Sequence, residues 1–175
     1  MKLFRDIIKN DIRLPLVIIT AMLVGIAAHG QALFNKFSFQ DDISAFNSLG
    51  STYESGRWFL GVLDTAVNIL FGMRPYSLPL VNGLVSILFI AFSAYFIIRL
   101  FEIKRKRVII GLTAIMVSAP IVTSIFGFMF TAPYYMLSLL LAVLAACVII
   151  RPPSLPGFAV SAGPSPLSEK SSMKR

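Results

Sequence analysis

An all-α integral membrane fold is what this sequence predicts, with about four transmembrane helices and an outer-face amphipathic helix between the first two. Three observations predict it. The chain of 175 residues is 57% hydrophobic and 14% charged, against about 25% charged in a soluble domain. Its charges are clumped between long apolar runs, as expected where lipid is the solvent. Three runs, residues 14–34, 76–101 and 108–150, reach the ~20 apolar residues that a spanning helix needs. The last, at 43 residues, suits two spans.

Residues 1–13 are amphipathic: Leu3, Phe4, Ile7, Ile8 and Ile12 recur at helical spacing, with Lys2, Arg5, Lys9 and Arg13 opposite. This pattern predicts a helix lying in the membrane interface. A cleavable signal peptide is the rival, but the basic region is long for one and no clean A-x-A site follows. The first span runs from Leu14 to about Leu33, with Pro15 in its first turn, where a missing N–H costs nothing. His29 and Gln31 fall near its far end. They have two readings there: reaching the interface, or lining a polar site.

The first outer loop occupies residues 35–57 and sets Asp41, Asp42 and Glu54 against Lys36 and Arg57. Beyond it, Arg57, Gly61, Asp64, Thr65, Asn68 and Gly72 recur at i, i+4, i+7, i+8, i+11 and i+15. Apolar residues fill the gaps, so residues 57–72 predict an apolar helix with one narrow polar stripe. Sixteen residues are short for a span, which favours a helix at the outer interface anchored by Trp58 over a tilted extra span. Arg74-Pro75-Tyr76 ends it.

The second span covers about residues 77–100, with Asn82 and Ser86 as polar positions and Arg99 placed to snorkel. Residues 102–107 form a short basic turn. Pro120 kinks or ends the third span. The turn Gly-Phe-Met-Phe-Thr-Ala-Pro at 127–133 leads to a fourth, with Tyr134 and Tyr135 near its start. From Arg151 the composition shifts to Pro and Ser without periodicity, which predicts a disordered tail over 151–175. The domain plan is therefore an interfacial helix at 1–13, a transmembrane region at 14–150 with its outer loop at 35–75, and the tail.

Charge sets the topology and excludes one class of partner. The net charge is +8, but the Lys and Arg residues sit at the ends of apolar runs, and the one dense cluster is Lys104-Arg105-Lys106-Arg107 between two spans. That is the positive-inside pattern and not a nucleic-acid footprint. It predicts a cytoplasmic N-terminus, basic turn and tail, with the first loop outside. The single Cys147 and single His29 exclude an intrachain disulfide and a Cys/His metal cluster.

The feature richest in chemistry is the Asp41-Asp42 pair, some seven residues past the first span. Its bland reading is solvated loop charge. The aromatic loop around it, and Arg57 and Trp58 nearby in sequence, also make it coherent with sugar transfer from a lipid phosphate. A carboxylate can act as general base on an acceptor hydroxyl. A second acid can position the acceptor or share a divalent metal. An arginine can hold the phosphate leaving group, and an aromatic ring can stack on a sugar.

The run QDDISAFNSLGSTYESGRWFLGVLDTAVNILFG, followed by FTAPYYMLSLLLAVLA, resembles the N-terminal part of the Gtr-type, serotype-converting O-antigen glucosyltransferases. These are membrane glycosyltransferases of the GT-C type, and the resemblance spans about residues 1–150. It implies a polyprenyl-phosphate-glucose donor (undecaprenyl phosphate as the lipid), a lipopolysaccharide O-antigen acceptor and a bacterial inner-membrane location. It also implies an acidic catalytic residue in the first outer loop, by position Asp41 or Asp42. Arg57, in the Ser-Gly-Arg-Trp sequence ending at Trp58, would contact phosphate or brace the loop. Trp58, Glu54 and Asp64 complete the candidate substrate-binding set. Enzymes of this kind carry several hundred residues and many more spans. The shift at Arg151 therefore predicts a broken reading frame and a truncated product with little activity of its own. The alternative is a small standalone membrane helper or flippase-like subunit without catalysis. It is the weaker fit, because the outer loop is long and the spans hold few polar residues.

Overall fold

The computed structural model describes residues 13–35, 58–71 and 78–150. It contains six helices among those residues: α1 (Arg13–Phe34), α2 (Trp58–Phe71), α3 (Pro79–Leu100), α4 (Lys106–Ser118), α5 (Pro120–Phe126) and α6 (Ala132–Ile150). The described residues hold no strand, so the all-α membrane reading stands. Helices α1, α3 and α6 are each long and apolar enough to cross a bilayer. The pair α4–α5 makes a fourth crossing when counted as one span, bent by 42°. Of the interfacial helix expected at 1–13, Arg13 belongs to α1; residues 1–12, most of the outer loop, the Arg74-Pro75-Tyr76 break and the tail at 151–175 lie outside the described residues.

The breaks have local causes. Pro120 has no N–H and its ring excludes the carbonyl one turn back, so the helix stops at Ser118. Ala119 takes an extended conformation (φ −58°, ψ 139°), and α5 restarts with Pro120 in its first turn. α3 likewise opens on Pro79, where the missing N–H is harmless. Its C-terminus closes in a Schellman pattern: Glu102 N–H donates to Arg99 O (3.2 Å) and Ile103 N–H to Ile98 O (3.0 Å). Glu102 supplies the left-handed residue at φ 52°, a position more often held by glycine. The expected basic turn is shorter than 102–107, because Lys106 and Arg107 already belong to α4. Two cations in a first helical turn oppose the helix dipole.

α3 is the centre of the bundle. It packs along α1 on one side and α6 on another, while α4 packs mainly on α1. The core is a single apolar cluster that includes Val17, Ala21, Ile87, Ile90, Ala94, Ile98, Ile109 and Val117. Glycines bring two of these contacts close. A Cβ on Gly25 would sit 2.7 Å from Ile87 Cδ1 and 3.1 Å from Val117 Cγ1. One on Gly83 would run into Leu33 Cδ2. Such small-residue contacts draw helices together where no hydrophobic effect operates between them. The hydroxyls of Ser86, Ser93 and Thr113 donate back to the carbonyls four residues earlier. No buried donor among these three is left to face hydrocarbon. α6 is covered mainly by α3 and keeps a broad apolar surface, with Ile149 79% exposed, a surface suited to lipid.

The two ends of the bundle are distinct. At one end Arg13 Nη1 donates to Ile103 O (3.5 Å), placing the start of α1 beside the α3–α4 turn. At the other end the C-terminus of α1, the N-terminus of α3 and the α5–α6 turn meet. α1 and α4–α5 therefore run one way, and α3 and α6 the other.

Candidate functional site

A cleft of about 260 Å³ opens at the end opposite the basic turn, lined by Gln31, Ala32, Asn35, Pro79, Thr123, Phe126, Gly127 and Met129. Three elements build it. The last turn of α1 gives Gln31 and Asn35, the start of α3 gives Pro79, and α5 with the following turn gives Thr123, Phe126 and Met129. No lining side chain is charged. Two carboxamides and a hydroxyl stand among apolar surfaces, a set that can hydrogen-bond a neutral polar ligand and pack against its carbon skeleton. Asn35 also ends α1: its N–H and its Nδ2 both donate to Gln31 O, at 3.1 and 3.0 Å.

Two side chains hold this end together. Asn82 Nδ2 donates to Met129 O (3.2 Å), tying α3 to the turn between α5 and α6. His29 is 3% exposed, and its Nε2 lies 2.9 Å from Val117 O. A carbonyl only accepts, so Nε2 carries the proton. The imidazole also rests against Phe126, with ring centroids 4.6 Å apart. His29 thus does not reach the interface; it is buried between helices. Of the two expected interface residues, Gln31 is the exposed one and lines the cleft. Sequence reading missed Thr123, Phe126 and Met129. They flank the Pro120 break and the following turn, which were legible, but only the fold shows that these segments meet Gln31.

The expected site residues fall as follows. Asp41, Asp42, Glu54 and Arg57 lie outside the described residues. Asp64 belongs to α2, and its side chain lies outside the described residues. Trp58 begins α2 and is 65% exposed, its ring edge-on to Phe59 at 5.8 Å. At 14 residues α2 is about 21 Å long, too short for the ~30 Å hydrocarbon core. Thr65 Oγ1 on its polar stripe donates to Gly61 O (2.8 Å). Cys147 is a free, half-buried thiol in α6. The described residues hold no cluster of three or more His, Cys, Asp or Glu side chains.

The family model described as glucosyl transferase GtrII matches residues 30–162. That is well over half of the chain. The chain belongs to the GtrII glucosyl transferase family. No curated protein and no solved structure matches it. The GtrII match takes in the cleft-lining residues of α1, α3 and α5, and it includes the segment that carries Asp41 and Asp42. The resemblance carried by the first-loop sequence and the match to GtrII agree, and a glucosyltransferase implies a sugar donor and an acceptor.

Proposed function

We propose that this chain contributes to a membrane glucosyltransferase that moves glucose from a polyprenyl-phosphate donor to lipopolysaccharide O-antigen. The observation that carries the reading is the position of the neutral, amide-lined cleft within a GtrII-family bundle, at the end where the first loop departs. Asp41 follows Asn35 by six residues, and a chain of six residues spans at most about 20 Å. This short tether supports a role for the carboxylate pair at the cleft. Uncharged Gln31, Asn35 and Thr123 suit a glucosyl group better than a phosphate, for which Arg57 is the candidate partner.

In this reading one of Asp41 and Asp42 takes the proton from the acceptor hydroxyl. The acceptor oxygen bonds to C1 of glucose as the C1–O bond to phosphate breaks. The electron pair leaves with the polyprenyl phosphate, whose charge Arg57 stabilises. The second carboxylate positions the acceptor or would share a divalent metal, Glu54 and Asp64 contribute to substrate binding, and Trp58 stacks on a sugar face. The cleft end faces the periplasm and the basic turn the cytoplasm, as the Lys and Arg distribution favours in a bacterial inner membrane.

The test is substitution of the matching carboxylates in a transfer-active member of the family, read as glucose incorporated into lipopolysaccharide. Asn in place of the catalytic member of the pair should cut transfer by about 10²–10⁴-fold while membrane insertion is unchanged. Full transfer by both single variants would remove the catalytic assignment.

A further inference from the structure

α5 (Pro120–Phe126) hangs between two interruptions of the backbone. On its N-terminal side, the break at Ala119–Pro120 deprives the last carbonyls of α4 of their helical partners. On its C-terminal side, the turn at 127–131 leaves Met129 O outside any helix. In water such carbonyls would be solvated; within a bilayer they must find a donor in the protein. On each side one such carbonyl is met by a side chain from a neighbouring helix. His29 of α1 donates to Val117 O at 2.9 Å, and Asn82 of α3 donates to Met129 O at 3.2 Å. His29 further packs on Phe126, at the far end of α5.

We propose that His29 and Asn82 are positioning residues that fix α5 against α1 and α3, and so set the width of the cleft between Gln31–Asn35 and Thr123–Phe126. The functional consequence, control of sugar transfer, rests on the reading of the cleft given above; the mechanical claim does not. Without His29, Val117 O regains a partner only by re-forming the ladder bond to the N–H of Ile121, which requires straightening the 42° bend that Pro120 favours. α5 then swings relative to α1. What the site needs at residue 29 is a donor at the reach of Nε2. A glutamine amide meets that need and a leucine does not.

The experiment uses the whole chain in lipid nanodiscs, in a Cys147→Ser background. Thr123→Cys reports the moving wall, Asn35→Cys the fixed wall and Lys104→Cys the far end, each by its alkylation rate with a water-soluble maleimide. His29→Leu should change the rate at Thr123→Cys by about fivefold, the effect of losing one ordinary buried hydrogen bond. The rates at Asn35→Cys and Lys104→Cys should hold, and His29→Gln should restore the original rate. An unchanged Thr123→Cys rate, an equal change at all three positions, or a His29→Gln variant as altered as His29→Leu would overturn the proposal. Retention of a radiolabelled glucosyl-phosphoryl polyprenol is measured in parallel on discs that hold the unaltered chain. If the unaltered chain fails to retain it, the functional reading fails, while the alkylation rates still decide the role of His29.

Discussion

Gly25 and Gly111 are both glycines in apolar helices, yet they meet different surroundings. A methyl group on Gly25 would press on Ile87 and on Val117, both buried, whereas one on Gly111 meets nothing within 4 Å. Gly25→Ala should therefore destabilise the bundle by about 1–3 kcal/mol through overpacking. Gly111→Ala should be neutral or stabilise by up to about 1 kcal/mol, since alanine is the better helix former. Reversible unfolding in bicelles measures both, and equal effects would contradict the packing described. The sequence could not separate these positions. It shows that α1 is apolar and helical, but the rotation of a helix that is apolar all round is decided by its neighbours and not by its own periodicity. For the same reason His29 was legible as a polar residue near a helix end but not as a buried donor. Its acceptor lies 88 positions away and is freed only by a break in another helix.

At the scale of elements, Pro120 was the clearest signal, because a missing N–H and a ring clash interrupt a helix whatever the surroundings. The length of α2 was legible too, from the polar stripe that ends at Gly72. The bend at Pro120 and the bond from His29 are coupled, and that coupling can be measured. In the unaltered chain, His29→Leu lets Val117 O pair again only by straightening the bend that Pro120 favours, and should cost about 1–2 kcal/mol. In a Pro120→Ala background the ladder bond from Ile121 can form, so the same substitution should cost close to nothing. A double-mutant cycle isolates the difference. Additive effects would show that the proline and the histidine act independently.

At the scale of the whole molecule, the lipid-phase architecture was readable because hydropathy and charge act over whole segments, and α1, α3 and α6 stand close to where the apolar runs placed them. The cleft was not readable, since its lining joins positions 31, 79 and 123, which come together only when α1, α3 and α5 pack. Topology gives a further test. Arg13 lies beside the α3–α4 turn, so the basic end and the cleft end should label from opposite sides of the membrane. Lys104→Cys should resist a membrane-impermeant thiol reagent in intact cells, and Asn35→Cys should react. The reverse pattern would place the cleft on the cytoplasmic side and rule out a periplasmic transfer.

Under the proposed function, the cleft end of this GtrII-family bundle recognises a glucosylated lipid phosphate. The most direct measurement compares two lipids on the whole chain in nanodiscs: a glucosyl-phosphoryl polyprenol and the same polyprenyl phosphate without the sugar. The glucosylated lipid should bind more tightly, and Gln31→Ala with Asn35→Ala should remove that preference while leaving the binding of the bare phosphate unchanged. Equal binding of the two lipids, or a preference that survives loss of both amides, would contradict it.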